Sequence, residues 1–124
     1  MQKHEEWLFK AEHDLESAKG LFNLGLFDTA IYHTQQCSEK VLKAYLVFKN
    51  QPLPKTHNLD MLCLLCIDLD SEFDNIYLDA LDLNGLDVTF RYPGAQLMPF
   101  KKDVEAAIET AEKIFDFVNQ KIVI

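Results

Sequence analysis

Apolar positions recur along the chain with a helical period. On a wheel of 100° per residue, Trp7, Leu8, Ala11, Leu15, Ala18 and Phe22 fall within one arc of about 100°, while Glu5, Glu12 and Glu16 take the opposite side. This predicts a first helix from Lys3 to Lys19, with Gly20 and Gly25 flanking its end. A second helix from Phe27 to Asn50 places Phe27, Ala30, Cys37, Val41, Ala44, Tyr45 and Phe48 on one face, with Asp28 or Thr29 as its cap. The two prolines of "NQPLPKTHN" stop it. A third helix is expected over Asn58–Leu69 and a shorter one from Ser71 to Leu81. The 18-residue stretch "DLNGLDVTFRYPGAQLMP" follows, a loop of a length that is often functional. A last helix from Phe100 to Lys121 carries Val104, Ile108, Ala111, Phe115, Val118 and Ile122 in one stripe. The only strand signal is the short "LDVTF". The expected fold is all-α, an up-and-down bundle of four main helices plus a short extra one, with residues 1–124 forming a single domain.

Composition narrows the class. With 124 residues, 48% of them apolar and 26% charged, the chain can bury a real core and does not read as disordered. Its longest apolar run, "MLCLLCI", is seven residues, far short of the roughly 20 that a bilayer requires. The N-terminus "MQKHEEWLFKAEHD" is acidic and amphipathic, unlike a signal or transit peptide, so a cytoplasmic protein without a membrane partner is expected. A formal net charge of −8 argues against a broad footprint on duplex DNA, though it leaves room for a small basic pocket. The three cysteines, an odd number, are expected as reduced thiols.

Candidate chemistry concentrates on the second helix. His33, Gln36, Lys40 and Lys43 lie within about 80° of one another on the wheel. Two ammonium groups, an imidazole and an amide could hold an anion such as phosphate. The alternative is a solvated flank with Glu39 paired to Lys43. On the first helix, Asp14 sits at the edge of the apolar arc and needs a partner, for which Arg91 and Lys40 are the candidates. Arg91 is the only arginine in the chain. Cys63 and Cys66 form a C-x-x-C inside an apolar helix; zinc would need Cys37 and His57 as well, so a core role is expected and no metal site is assigned. Ser17 and Ser38 lie mid-helix, no G-x-S-x-G nucleophile elbow is present, and there is no P-loop or G-x-G-x-x-G. Thr56 or Asn58 can cap the third helix, which makes Thr56–His57 either a turn or part of a site. The residues by themselves assign no cofactor.

Taken in order, these pieces resemble the HEPN domain family. The matching residues are Trp7-Leu8, Ala11, Asp14-Leu15 and Ala18, then Ala30, His33, Gln35-Gln36, Glu39-Lys40 and Leu42 to Leu46. Pro54, Lys55 to Leu59 and Arg91-Tyr92-Pro93 complete the pattern, over about residues 3 to 120. The resemblance implies a helical bundle, usually a homodimer, that binds nucleotides or RNA. It also implies a minimal nucleotidyltransferase as partner, in a system that can be a toxin–antitoxin pair. Ribonuclease members of the wider superfamily use an arginine followed after four to six residues by histidine. Here the corresponding positions after Arg91 are Gln96, Leu97 and Met98, so no catalytic residue is assigned. The expected ligand-binding set is Arg91, Tyr92, His33, Gln36, Lys40, Lys43 and His57, with Arg91 facing either Asp14 or a phosphate. A diverged endoribonuclease and a purely structural interaction module, burying its helix faces and "KIVI" tail against another chain, are the alternatives.

Overall fold

A computed structural model describes residues 1–94 and 96–122, without the side chains of Asp87 and Arg91. Val123 and Ile124 of the "KIVI" tail lie outside the described residues. The chain folds into α1 (Lys3–Asn23), α2 (Phe27–Phe48), α3 (Leu59–Leu69), a 3-10 turn (Ser71–Ile76), α4 (Tyr77–Leu83), α5 (Leu86–Arg91) and α6 (Lys101–Ile122). The fold is all-α, and no strand forms among the described residues. No described helix is long and apolar enough to cross a membrane.

Helix α2 is the axis of the bundle. It packs along α1 and α6 and also meets α3, α4 and α5. That position explains its burial: every residue from Val41 to Leu46 is covered, where a surface helix would bury only one stripe. The polar residues on it are satisfied locally. Thr34 Oγ1 donates to the Ile31 carbonyl at 2.7 Å and Ser38 Oγ to the Thr34 carbonyl at 3.0 Å, which removes the cost of an unpaired buried hydroxyl. Phe73, delivered by the 3-10 turn, seals one end of the core. It lies 4.4 Å from Tyr45 and edge-to-face with Phe117 at 5.2 Å, centroid to centroid.

Several boundaries differ from the sequence expectation, each for a local reason. Helix α1 does not stop at Lys19; it carries Gly20 inside and runs to Asn23, and the left-handed residue that turns the chain is Gly25 at φ 77°. Neither Asp28 nor Thr29 caps α2. Its N-cap is Leu26, without a side-chain hydrogen bond, and Asp28 instead binds the Thr29 N–H within the first turn. At the other end Asn50 takes φ 57° and the Gln51 N–H reaches back to the Leu46 carbonyl, so the helix ends at Phe48 before the prolines intervene. Asn58 caps α3 through the N–H groups of Asp60 and Met61. The helix expected over Ser71–Leu81 is a 3-10 turn followed by α4.

The long crossover departs most. "LDVTF", expected within a long loop and carrying only a short strand signal, is helical and forms α5. Gly85, left-handed at φ 83°, breaks the chain between α4 and α5, and α5 then lays Leu86 and Phe90 against the core. Burial of those two side chains decides between helix and strand here, because a six-residue segment has little intrinsic preference of its own.

Candidate functional site

The polar side chains of α2 form two ion clusters. In the first, Asp14 reaches across from α1. Its Oδ1 lies 2.8 Å from His33 Nδ1, and its Oδ2 accepts from Lys40 Nζ at 2.7 Å. Asp14 thereby gains two partners at a position where it is almost fully buried. In the second cluster Glu39, 4% exposed, accepts from Lys43 Nζ at 3.0 Å and pairs with His57 Nδ1 at 3.0 Å. Lys43 Nζ also lies over the Trp7 ring at 5.9 Å. Burial by itself would push the Glu39 carboxyl up, but the hydrogen bonds from His57 and Lys43 outweigh it and hold the group below the usual carboxylate range.

Gln35 links the second cluster to the segment before α3. Its Nε2 donates to the His57 carbonyl at 3.3 Å, and its Oε1 accepts from Gln36 Nε2 at 2.9 Å. His57 is therefore held twice, by its ring and by its carbonyl. With Nδ1 turned to Glu39, its Nε2 remains for a ligand. Asn84, which ends α4, accepts from the Leu59 N–H at 3.0 Å and donates to Asn58 Oδ1 at 3.3 Å. Across these groups runs a cleft of about 800 Å³ lined by Tyr32, Gln35, Gln36, His57, Asn58, Asn84, Gly85 and Val88. It lies between the middle of α2, the approach to α3 and the first turn of α5. Gln36 Oε1, Asn58 Nδ2 and His57 Nε2 are not engaged in any of these hydrogen bonds, and the Tyr32 ring supplies an aromatic wall. This is a surface able to grip a flat, hydrogen-bonding molecule.

Of the residues expected from sequence, the fold brings Gln36 and His57 together at this cleft. His33 and Lys40 sit with Asp14, and Lys43 sits with Glu39. Asp14 takes Lys40, the second of its two candidate partners, together with His33. The Glu39–Lys43 pairing expected for a solvated flank is present but buried. Tyr92 is exposed, immediately after α5. Arg91 is the last residue of α5; its side chain, and with it an Arg91–Asp14 pairing, lies outside the described residues.

Sequence reasoning missed Gln35, Asn84 and Tyr32 as wall residues and Glu39 as the keystone. One signal for Glu39 was available: an acid with Gln35 four residues before it and Lys43 four after, on the same face of the helix. The cysteines are all core residues. Cys63 Sγ approaches the Phe73 carbonyl and Cys66 Sγ the Leu42 carbonyl. Among the described residues no group of histidine, cysteine and acidic side chains could hold a metal ion.

The profile of the HEPN domain family matches residues 4–121. The crystal structure of ST0689, an archaeal HEPN homologue, superposes with a TM-score of 0.77 at 27% identity, covering 98% of this chain and 99% of that one. The crystal structure of TT1696 from Thermus thermophilus gives 0.82 at 25% identity, with 98% and 99% coverage. A Methanocaldococcus jannaschii protein named "Putative toxin MJ1304" is 47% identical over 38 residues, which is 31% of this chain and 25% of that protein.

Proposed function

The chain belongs to the HEPN family, and from that premise we propose that it is a non-catalytic binding domain. It takes a nucleotide or a short stretch of RNA in the cleft between α2 and α5, as one component of a toxin-like two-component system. The observation that carries this reading is the convergence of Gln36 and His57 with Tyr32, Asn58 and Asn84 on one cleft of about 800 Å³. Amide groups and an imidazole match the edge of a base, and an aromatic ring offers it a stacking face. The charges of Lys40 and Lys43 are balanced by Asp14 and Glu39. The attraction for a phosphate therefore falls to Arg91, at the end of the helix whose first turn lines the cleft. Catalysis is not part of the proposal because no histidine follows Arg91, and a ribonuclease built on that arginine would lack a general acid/base worth ~10²–10⁴-fold.

The name of the M. jannaschii relative supports the toxin-like setting, and the family resemblance supports a minimal nucleotidyltransferase as partner and a homodimeric state. Titrating the ¹⁵N-labelled protein with nucleoside mono-, di- and triphosphates tests the binding claim. Amide shifts confined to Tyr32–Gln36, His57–Asn58 and Asn84–Arg91 are expected; shifts elsewhere, or none, count against it.

One observation favours a second reading. Glu39 orients His57 much as a carboxylate orients a catalytic imidazole, so the cleft holds a histidine able to exchange a proton with a ligand. A diverged, metal-independent endoribonuclease would use it. Expression would then arrest growth, and His57→Ala would relieve the arrest; harmless overexpression of wild type argues for the non-catalytic reading.

A further inference from the structure

All of the net charge of this chain sits in one stretch. Between Lys55 and Arg91, residues 56–90 hold eight acids and no lysine or arginine. Of the 20 acids in the chain 12 therefore lie elsewhere, against all 12 of its lysines and arginine, so the remainder is neutral. The same stretch exposes apolar side chains in a pattern. On α3, Met61, Leu64, Leu65 and Leu69 follow helical spacing and are 38–51% exposed, while Leu59, Leu62, Cys63 and Cys66 fill the opposite face. Leu78 on α4 is 73% exposed. A groove of about 180 Å³ opens beside the α3 stripe, lined by Leu46, Gln51, Pro52, Leu65, Asp68 and Leu69.

We infer that the outer face of α3 is a docking surface for a basic, amphipathic helix of a partner protein. Isolated exposed leucines are ordinary, but a stripe at helical spacing beside a groove is the form that receives a helix. The stripe runs from Met61 to Leu69, about 12 Å or two turns of a facing helix. The groove takes one aliphatic anchor. Asp68 lies both within the stripe and on the groove wall, so a lysine or arginine one turn from that anchor meets it.

Charge selects the occupant. Lys121 of α6 engages Asp70 and Glu72, and Lys113 engages Asp79. Asp68, Asp74 and Asp82 have no basic partner among the described residues. A second copy placed symmetrically on this face would bring the acidic stretch against itself, and like charges across an interface are costly. A basic partner removes that cost and covers the leucines.

The probe is an amphipathic leucine–lysine peptide of about five helical turns, titrated by fluorescence anisotropy against the full chain. A leucine–glutamate peptide of the same pattern and a scrambled leucine–lysine peptide are the controls. The patterned leucine–lysine peptide is expected to bind at least ~10-fold more tightly than either control. Its affinity is expected to fall about tenfold in Leu65→Ser/Leu69→Ser and again in Asp68→Lys. These positions are exposed, so circular dichroism should show unchanged helicity; if the double variant fails to fold, Asp68→Lys carries the test. No binding, equal binding of a control, or undiminished binding by the folded variants overturns the inference. So does self-association of wild type that Leu65→Ser/Leu69→Ser abolishes, since a second copy would then own the face.

Discussion

Lys40 Nζ donates to Asp14 Oδ2 at 2.7 Å and ties the centre of α2 to α1 through a carboxylate that His33 also holds. Two side chains of α2 thus share one nearly buried anion of α1. Removing Asp14 leaves Lys40 and His33 facing each other without it, a worse outcome than removing one cation. Asp14→Ala is expected to cost about 2–4 kcal/mol in urea denaturation, and Lys40→Met about 1 kcal/mol. A loss below ~0.5 kcal/mol for Asp14→Ala would show that the cluster is solvated and idle.

Glu39 sets an acid limit. Its folded-state pKa is depressed below the ordinary 4.5 by the bonds from His57 and Lys43. The unfolded chain therefore binds a proton there more readily than the folded one. The contribution is complete above pH 4.5 and is lost as pH falls through the lower folded value. Melting temperature measured from pH 7 downward should drop in that window, and Glu39→Gln should flatten the drop while lowering stability at pH 7. Parallel profiles for the two proteins would contradict the assignment.

The bundle was legible in the sequence because its long helices have continuous apolar stripes. The N-terminal boundaries of α1 and α2 and the C-terminal end of α3 fall where the pattern places them. The crossover was not legible. Six residues from Leu86 to Arg91 carry too little periodicity, and the burial of Leu86 and Phe90 that makes them helical depends on partners far away in sequence. The site was legible in its parts only. Spacing on α2 grouped His33, Gln36, Lys40 and Lys43, but which cation meets which acid depends on how α1 and the segment before α3 approach that helix. Asp14 and His57 supply that information: Asp14 is 19 and 26 residues from His33 and Lys40, and His57 is 18 from Glu39.

The cysteines should behave as core side chains. Burial pushes the Cys63 thiol up to about 11 and raises Cys37 and Cys66 further. Ellman's reagent at pH 8 is expected to find almost no reactive thiol in the native protein and all three in denaturant. Rapid native labelling of Cys63 or Cys66 would mean that α3 opens readily.

Asn50 holds the left-handed turn that ends α2, at φ 57°. Asn50→Ala keeps every other contact but puts a less tolerant side chain there, at an expected cost of about 1 kcal/mol in thermal melts. An unchanged midpoint would place the helix stop in the prolines alone.

The most direct test of the binding account is a thermal-shift panel of mono-, di- and triphosphate nucleotides, with and without magnesium, on wild type, Gln36→Ala and Arg91→Ala. A nucleotide at about 100 times its dissociation constant adds about 2.7 kcal/mol, enough to move the midpoint by several degrees. The account predicts such a shift in wild type and its loss in both variants, which should melt near wild type when unliganded. An equal shift in all three proteins, or none in wild type with any nucleotide, would contradict it.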